Sequence, residues 1–202
     1  MPDTAAELPR QARAEEILCA ALHIFAEHGF AETDVQLIAD RVGIGKGTVY
    51  RHFGNKEALF IACAQYSRQW LTCQVNRAAD QESDPLEQLR SGMYAFIRFF
   101  DAHPQVVELL IQERAHFCGQ QQPTLFVHDP ANKERWHSVF ENLIQAGTIR
   151  NLPLDQIEEA ISKFLFGIMF VNYFSGRTKP LAQQCSEIFD VLFNGLLASK
   201  AK

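Results

Sequence analysis

Every apolar segment of this chain repeats at intervals of three and four residues, and none alternates cleanly with period two. That pattern suits amphipathic helices and excludes half-buried strands. Ala14, Ile17, Leu18, Ala21, Leu22 and Phe25 describe a first helix after a frayed segment of about nine residues, with Gly29 closing it. Two short helices follow, Val35–Val42 with Thr33 or Asp34 as its cap, and Lys46 to about Phe53. The stripe Leu59, Ala62, Cys63, Tyr66, Trp70, Cys73 marks a long helix from Lys56 to about Arg77. Further helices are expected from Asp84-Pro85 to just before His103, from Pro104 to Phe117, and from Asp129-Pro130 to Gly147. The last two hold Ile157 to Phe174, opened by a capping box of Asp155 and Glu158, and Leu181 to Leu197 behind Pro180. With no internal repeat, the expected fold is all-α with about nine helices.

Charge is distributed unevenly along this frame. The 202 residues sum to a net charge of −5, yet Arg41, Lys46, Arg51 and Lys56 fall in a stretch without a single Asp or Glu. Gly45 and Asn55 can cap the helices that begin at Lys46 and Lys56, so each helix carries a lysine in its first turn. The positive end of the macrodipole disfavours a cation there by roughly 0.3–1 kcal/mol. A bound polyanion reverses that sign, because free N–H groups beside a lysine make a phosphate site. Lys56→Ala is therefore expected to leave the helix unharmed while weakening anion binding. Helix, glycine turn at Gly43, helix is also the DNA-reading pattern in which the second helix enters the major groove.

Gly29-Phe30, Thr33, Ile38-Ala39, Val42-Gly43-Ile44, the run Lys46 to Phe53, and Asn55-Lys56-Glu57-Ala58-Leu59 resemble the DNA-binding segment of the TetR family of transcriptional regulators. The resemblance spans about fifty residues; beyond them the chain is similar only in length and helical build. It implies an N-terminal three-helix helix-turn-helix domain over residues 1–54 and a helical ligand-binding and dimerisation domain over 55–202. It also implies that Lys46, Thr48, Tyr50, His52 and Lys56 touch DNA, mostly its phosphates, with Thr33 and Arg51 counted among the contacts. Gly47 permits close backbone approach, and Lys46, Thr48 and Arg51 have the chemistry to reach base edges. Val49 and Phe53 anchor the short helix. Two positions depart from the family pattern. Asp34 stands where a hydroxyl residue is usual and would repel a phosphate, and Gly45 stands where a serine often caps. Arg10 and Arg13 either reach the DNA backbone or are simply solvated.

The final two helices carry apolar arcs too wide for one neighbour. Phe164, Ile168, Val171, Phe189, Leu192, Phe193 and Leu196 are therefore expected at an isologous two-fold interface, a four-helix bundle from two copies. Between the long helix and these two lies a run of aromatics, which form either plain core or the lining of a small-molecule cavity. Trp70, Phe117, Trp136 and Phe140 are the expected lining residues, for an apolar or aromatic inducer.

Several classes are set aside. The longest apolar run, Phe164 to Val171, is far short of the roughly 20 residues of a membrane span, and no signal peptide opens the chain, so a cytoplasmic protein is expected. Five cysteines form no CxxC pair and seven histidines never fall at i, i+4, so neither metal nor cofactor is expected. No nucleophile elbow, HExxH or phosphate loop marks an enzyme. The expected function is a ligand-responsive regulator, a homodimeric repressor that binds a near-palindromic operator on double-stranded DNA and is released by a small inducer. An activator, or a DNA-bound scaffold answering to a protein partner or a thiol switch, is the alternative. An all-α enzyme with a vestigial helix-turn-helix is the alternative of another class.

Overall fold

The computed structural model describes residues 4–117, 123–127 and 129–195, with side chains from Arg10 onward. Among these residues there are nine α-helices, one 3-10 turn and no strand. The helices are α1 Thr4–His28, α2 Val35–Val42, α3 Lys46–Phe53, α4 Lys56–Ala79, α5 Pro85–Ala102, α6 Pro104–His116, α7 Pro130–Gln145, α8 Leu154–Ser175 and α9 Leu181–Asn194; the 3-10 turn is Thr124–Phe126. The all-α expectation holds, helix by helix. No helix among the described residues is long and apolar enough to cross a membrane.

Most boundaries follow the caps. Asn55 Oδ1 accepts from the Ala58 N–H at 2.7 Å, and Asp84 Oδ2 accepts from both Leu86 and Glu87 at 3.0 Å, each satisfying donors that the helix leaves unpaired. Two boundaries differ from expectation. Helix α1 begins at Thr4 rather than near residue 10, in a segment rich in the strong helix formers Ala, Glu and Leu. The capping box of α8 does not form. Pro153 occupies the cap, and the Asp155 carboxylate, inside the first turn, is taken by Lys133 of α7 at 2.8 Å. A cation on a neighbouring helix outcompetes the local bond.

The chain divides into two compact units, one formed by the residues up to Thr72 with His103–Asp129, the other by Cys73–Ala102 with the residues from Pro130 onward. In the first, α1 packs on α2 and α6, and α2 on α3. Ile17, Ala21, Phe25, Ile38, Val49, Leu59 and Phe60 are all at most 1% exposed. Burying a large apolar side chain contributes roughly 1.5–3 kcal/mol, so these few residues dominate the stability of the unit. Phe25, Phe30, Phe60 and Phe117 form one ring cluster, with centroids 5.1–6.1 Å apart, that ties α1, the segment after it, α4 and the end of α6 together. Beside it the buried Gln112 of α6 donates to the Phe25 carbonyl at 2.9 Å.

In the second unit α5 packs against α7, α8 and α9. Its core holds Leu89, Met93, Ile97, Val139, Phe140, Leu143, Leu165, Cys185 and Phe189. Gly92 lies directly under the Trp136 indole, where a Cβ would come 2.5 Å from the ring, so no other residue fits without displacing it. Arg177 grips Asp101 through two hydrogen bonds of 2.6 and 3.0 Å, the bidentate geometry that suits guanidinium and carboxylate. Outside the core, α8 and α9 leave Val171, Phe174 and Val191 in solvent at 61%, 68% and 42% exposure.

Candidate nucleic-acid interface

Asp34 caps α2, its Oδ1 accepting from the Gln36 N–H at 2.9 Å, and the helix ends at Gly43, whose φ of +73° is the left-handed turn that glycine adopts without penalty. Ile44 and Gly45 then lead directly into α3. Ile38 and Ala39 of α2 and Val49 of α3 are fully buried, which fixes α3 on its support by its apolar side. What α3 leaves outward is polar: Gly47 with open space where a side chain would stand, exposed Tyr50 and Arg51, and half-buried Lys46, Thr48 and His52.

One side of this helix gathers cations. Arg10 and Arg13 of α1 line a cleft of about 590 Å³ with Thr48, Arg51 and His52. Both arginines thus line the same cleft as α3 residues. Arg51 makes a long 3.4 Å contact to the Thr48 hydroxyl, and Arg13 pairs with Glu16 at 2.7 Å. The field is felt by His52, whose pKa is lowered by partial burial and then by the charges of Arg10, Arg51 and Arg13. Such a cleft disfavours a protonated imidazole and favours anions.

Three of the expected DNA contacts are otherwise engaged. Thr33 is 3% exposed, and its hydroxyl donates to the Gly29 carbonyl at 2.7 Å, a structural bond that keeps it from solvent. Lys46 is held by Asp34 at 2.6 Å, which lifts the lysine pKa, while the Gln36 N–H and then Lys46 depress that of Asp34. The departure at Asp34 therefore acts on Lys46 as well as on any phosphate. Lys56 donates to the carbonyls of Ala31 and Thr33, both at 3.0 Å, with its ammonium 4.9 Å from the Phe30 ring centroid. It clamps the segment between α1 and α2, a tertiary role additional to its place in the first turn of α4. For the two lysines the partner lies outside the helix concerned, where local helix electrostatics gives no signal.

The four expected lining aromatics have separate surroundings. Phe117 borders a cleft of the first unit, described below. Trp70, also in the first unit, lies against His103, the ring centroids 4.1 Å apart and the planes tilted by 46°. Phe140 is 3% exposed in the core of the second unit, and Trp136 is packed over Gly92 there. Of the interface residues, Phe164, Ile168, Leu192 and Phe193 are partly buried against the second core and Val171 is exposed, whereas Phe189 belongs to that core at 8% exposure. Leu196 lies outside the described residues.

One group was invisible to sequence spacing. His137 of α7 with Asp155 and Glu158 of α8 places three ligand atoms within 4.8 Å of one another, a set that spans two helices. Lys133 already rests on the same carboxylates at 2.8 and 3.9 Å, supplying the positive charge they require.

Comparison with known proteins agrees with this geometry. The family described as "Bacterial regulatory proteins, tetR family" matches residues 17–63, from the middle of α1 into α4. The transcriptional repressor KstR2 of Mycobacterium tuberculosis is 31% identical over 152 residues, covering 72% of this chain and 74% of that protein. The transcriptional activator FasR of Mycolicibacterium smegmatis is 31% identical over 105 residues, 52% of this chain, which spans about half of that protein's length, 48%. A TetR family transcription regulator from Marinobacter aquaeolei VT8 superposes with a TM-score of 0.73 at 16% identity, over 94% of this chain and 97% of that one, and so shares the fold.

Proposed function

Because the chain belongs to the TetR family of DNA-binding transcriptional regulators, we propose that it is a homodimeric repressor whose two α3 helices read the halves of a near-palindromic operator and which a small apolar or aromatic inducer releases. The observation that carries the reading is the convergence of Arg10, Arg13, Thr48, Arg51 and His52 on one cleft in a chain whose net charge is −5. Repression is favoured over activation because the longer match is with a repressor and the activator is matched over only half its length. Arg51 and Thr48 are assigned to base edges, and Arg10, Arg13, Tyr50 and His52 to the backbone, with Lys46 joining once its ion pair opens. Residues 1–54 then serve recognition and 55–202 serve ligand and partner. The protein acts on chromosomal DNA in the cytoplasm and catalyses no reaction.

A second copy accounts for the apolar surface of α8 and α9. Val171 and Phe174 of α8 and Val191 of α9 are each exposed, as apolar residues of an interface are when its partner is removed, and Phe164, Ile168, Leu192 and Phe193 of the same helices are only partly buried. Selecting bound duplexes from a random-sequence library with the purified protein tests the whole reading. The expected product is an inverted repeat whose half-site centres lie about 34–36 Å apart. Recovery of no preferred sequence overturns it.

A further inference from the structure

A cleft of about 890 Å³ opens on the first unit, between the first four turns of α4, the end of α6 and the 3-10 turn. Its volume falls in the range of small-molecule sites. We propose that it binds a small amphipathic carboxylate, the carboxylate on the Arg68 guanidinium and the apolar body against Ile61, Ala62, Phe117 and Val127, and that its occupancy changes how α6 holds α1. This deepens the reading of the protein as a ligand-responsive regulator and rests on it.

The polarity of the wall runs along α4. Ala58, Ile61 and Ala62 are apolar, and one to two turns later Gln65, Arg68 and Gln69 face the same cleft. From Ile61 to Arg68 the helix rises about 10 Å, so an occupant must be apolar at one end and polar at the other. Arg68 sets the sign of the polar end. Its Nε has no hydrogen-bond partner among the described residues, and a carboxylate in the cleft accepting from the rest of the guanidinium makes the charge-assisted bond that suits the two groups. The acidic groups of the wall do not reverse this. Glu113, 6% exposed, already accepts the Thr124 N–H at 2.9 Å and hydroxyl at 2.6 Å, and Glu57 is exposed in the first turn of α4. Arg114 adds a second cation to the lining.

The same wall touches the machinery that places α1. Phe117 stacks on Phe60 at 5.5 Å and meets Phe30 edge-on at 5.1 Å. Gln112, beside Glu113, holds the Phe25 carbonyl of α1. A ligand that moves Phe117 or loosens Glu113 from Thr124 thus acts on the helix that carries Arg10 and Arg13, and it shifts DNA affinity to the extent that it prefers one of the two arrangements.

The test uses the full chain, calorimetric titration with decanoate and with decanol as the uncharged match, and an operator duplex recovered by selection. Decanoate is expected to bind saturably, one per chain and about tenfold or more tighter than decanol. Arg68→Gln should bring decanoate down to the decanol level without changing decanol, whereas Ala62→Trp, which fills the apolar end, should weaken both about tenfold, with melting curves confirming that each variant folds. Added decanoate should also raise the protein concentration needed to half-saturate the duplex. No saturable decanoate binding below about 1 mM, or binding indifferent to both substitutions, overturns the site. Decanoate that binds as expected but leaves duplex affinity unchanged overturns the coupling. Failure to bind any duplex in the absence of decanoate instead sinks the repressor reading, while the calorimetric arm still decides the cleft.

Discussion

Helices α3 and α8 are both anchored by apolar residues, yet they leave opposite chemistry in solvent. Helix α3 buries Val49 and turns out Tyr50, Arg51 and the open backbone at Gly47, whereas α8 buries Leu165 and Met169 and turns out Val171 and Phe174. Water tolerates the first surface at little cost. It opposes the second by about 25 cal/mol for each square ångström left exposed. A surface of the first kind gains from a polyanion only through charge and is sensitive to salt; one of the second kind gains from any complementary apolar surface and is not. The two helices therefore call for different partners, and they can be broken separately.

The largest effect is expected on α8. Phe174→Asp with Val171→Asp puts two carboxylates into the proposed interface and should weaken dimerisation at least hundredfold, about 3 kcal/mol, as read by sedimentation against concentration. Operator affinity should fall in parallel because two half-sites are no longer held together, while unfolding of the monomer stays cooperative. Next comes α3: Arg51→Ala should leave the dimer intact and cost about 1–3 kcal/mol in operator binding if its fork reads a base, relaxing preference at one position in each half-site. Arg10→Ala, by contrast, should weaken operator and scrambled duplex alike and reduce the salt slope by about one per half-site. Equal loss on both duplexes from Arg51→Ala would move that residue from the base edges to the backbone.

Legibility in the sequence also differed between the two surfaces. The arcs of α8 and α9 are properties of single helices, so spacing alone pointed to Val171, which is exposed, but it also pointed to Phe189, which the second core takes up, and it did not single out the exposed Val191. Around α3 the helices and the cap at Asn55 were equally plain, and the cap of α2 was narrowed to Thr33 or Asp34, of which Asp34 caps, because capping is settled within a few residues. The cations were another matter. Lys46 and Lys56 sit in first turns, as the sequence requires, but their partners Asp34, Ala31 and Thr33 come from 12, 25 and 23 residues away. Asp155 repeats the lesson in the second unit, where Lys133 replaces the capping bond. Local rules place a charge; only the packed chain says what neutralises it.

A smaller effect follows for Lys56. Removing its ammonium frees the Ala31 and Thr33 carbonyls and the Phe30 ring, so Lys56→Ala should destabilise the first unit by about 1–2 kcal/mol, visible as a lower melting temperature. An unchanged melting temperature would return Lys56 to the class of free phosphate contacts.

The smallest is in pH. His52 and His103 both have folded pKa values below the ordinary 6.5, His52 chiefly through burial and the neighbouring arginines, His103 through burial and His23. The unfolded chain therefore takes up protons that the folded chain refuses, and stability should decline as pH falls below 6.5 and level off once the folded groups titrate. A phosphate beside His52 restores its proton, so operator affinity should rise over the same interval, and His52→Gln should flatten that rise. Affinity independent of pH in the parent protein would place His52 away from the DNA.

The ion pair between Asp34 and Lys46 bears on how such a molecule spends its time. A regulator meets arbitrary sequence far more often than its target, and each ungated cation prolongs every wrong encounter as well as the right one. In the role proposed for α3, a lysine already paired with its own carboxylate adds less to casual adhesion and is freed where the rest of α3 is seated closely enough to compete for it. Restoring a hydroxyl with Asp34→Ser keeps the cap but frees the lysine. The substituted protein should linger on scrambled duplex, dissociating more slowly there than the parent, and so search a long chromosome less efficiently even as its grip on DNA in general improves.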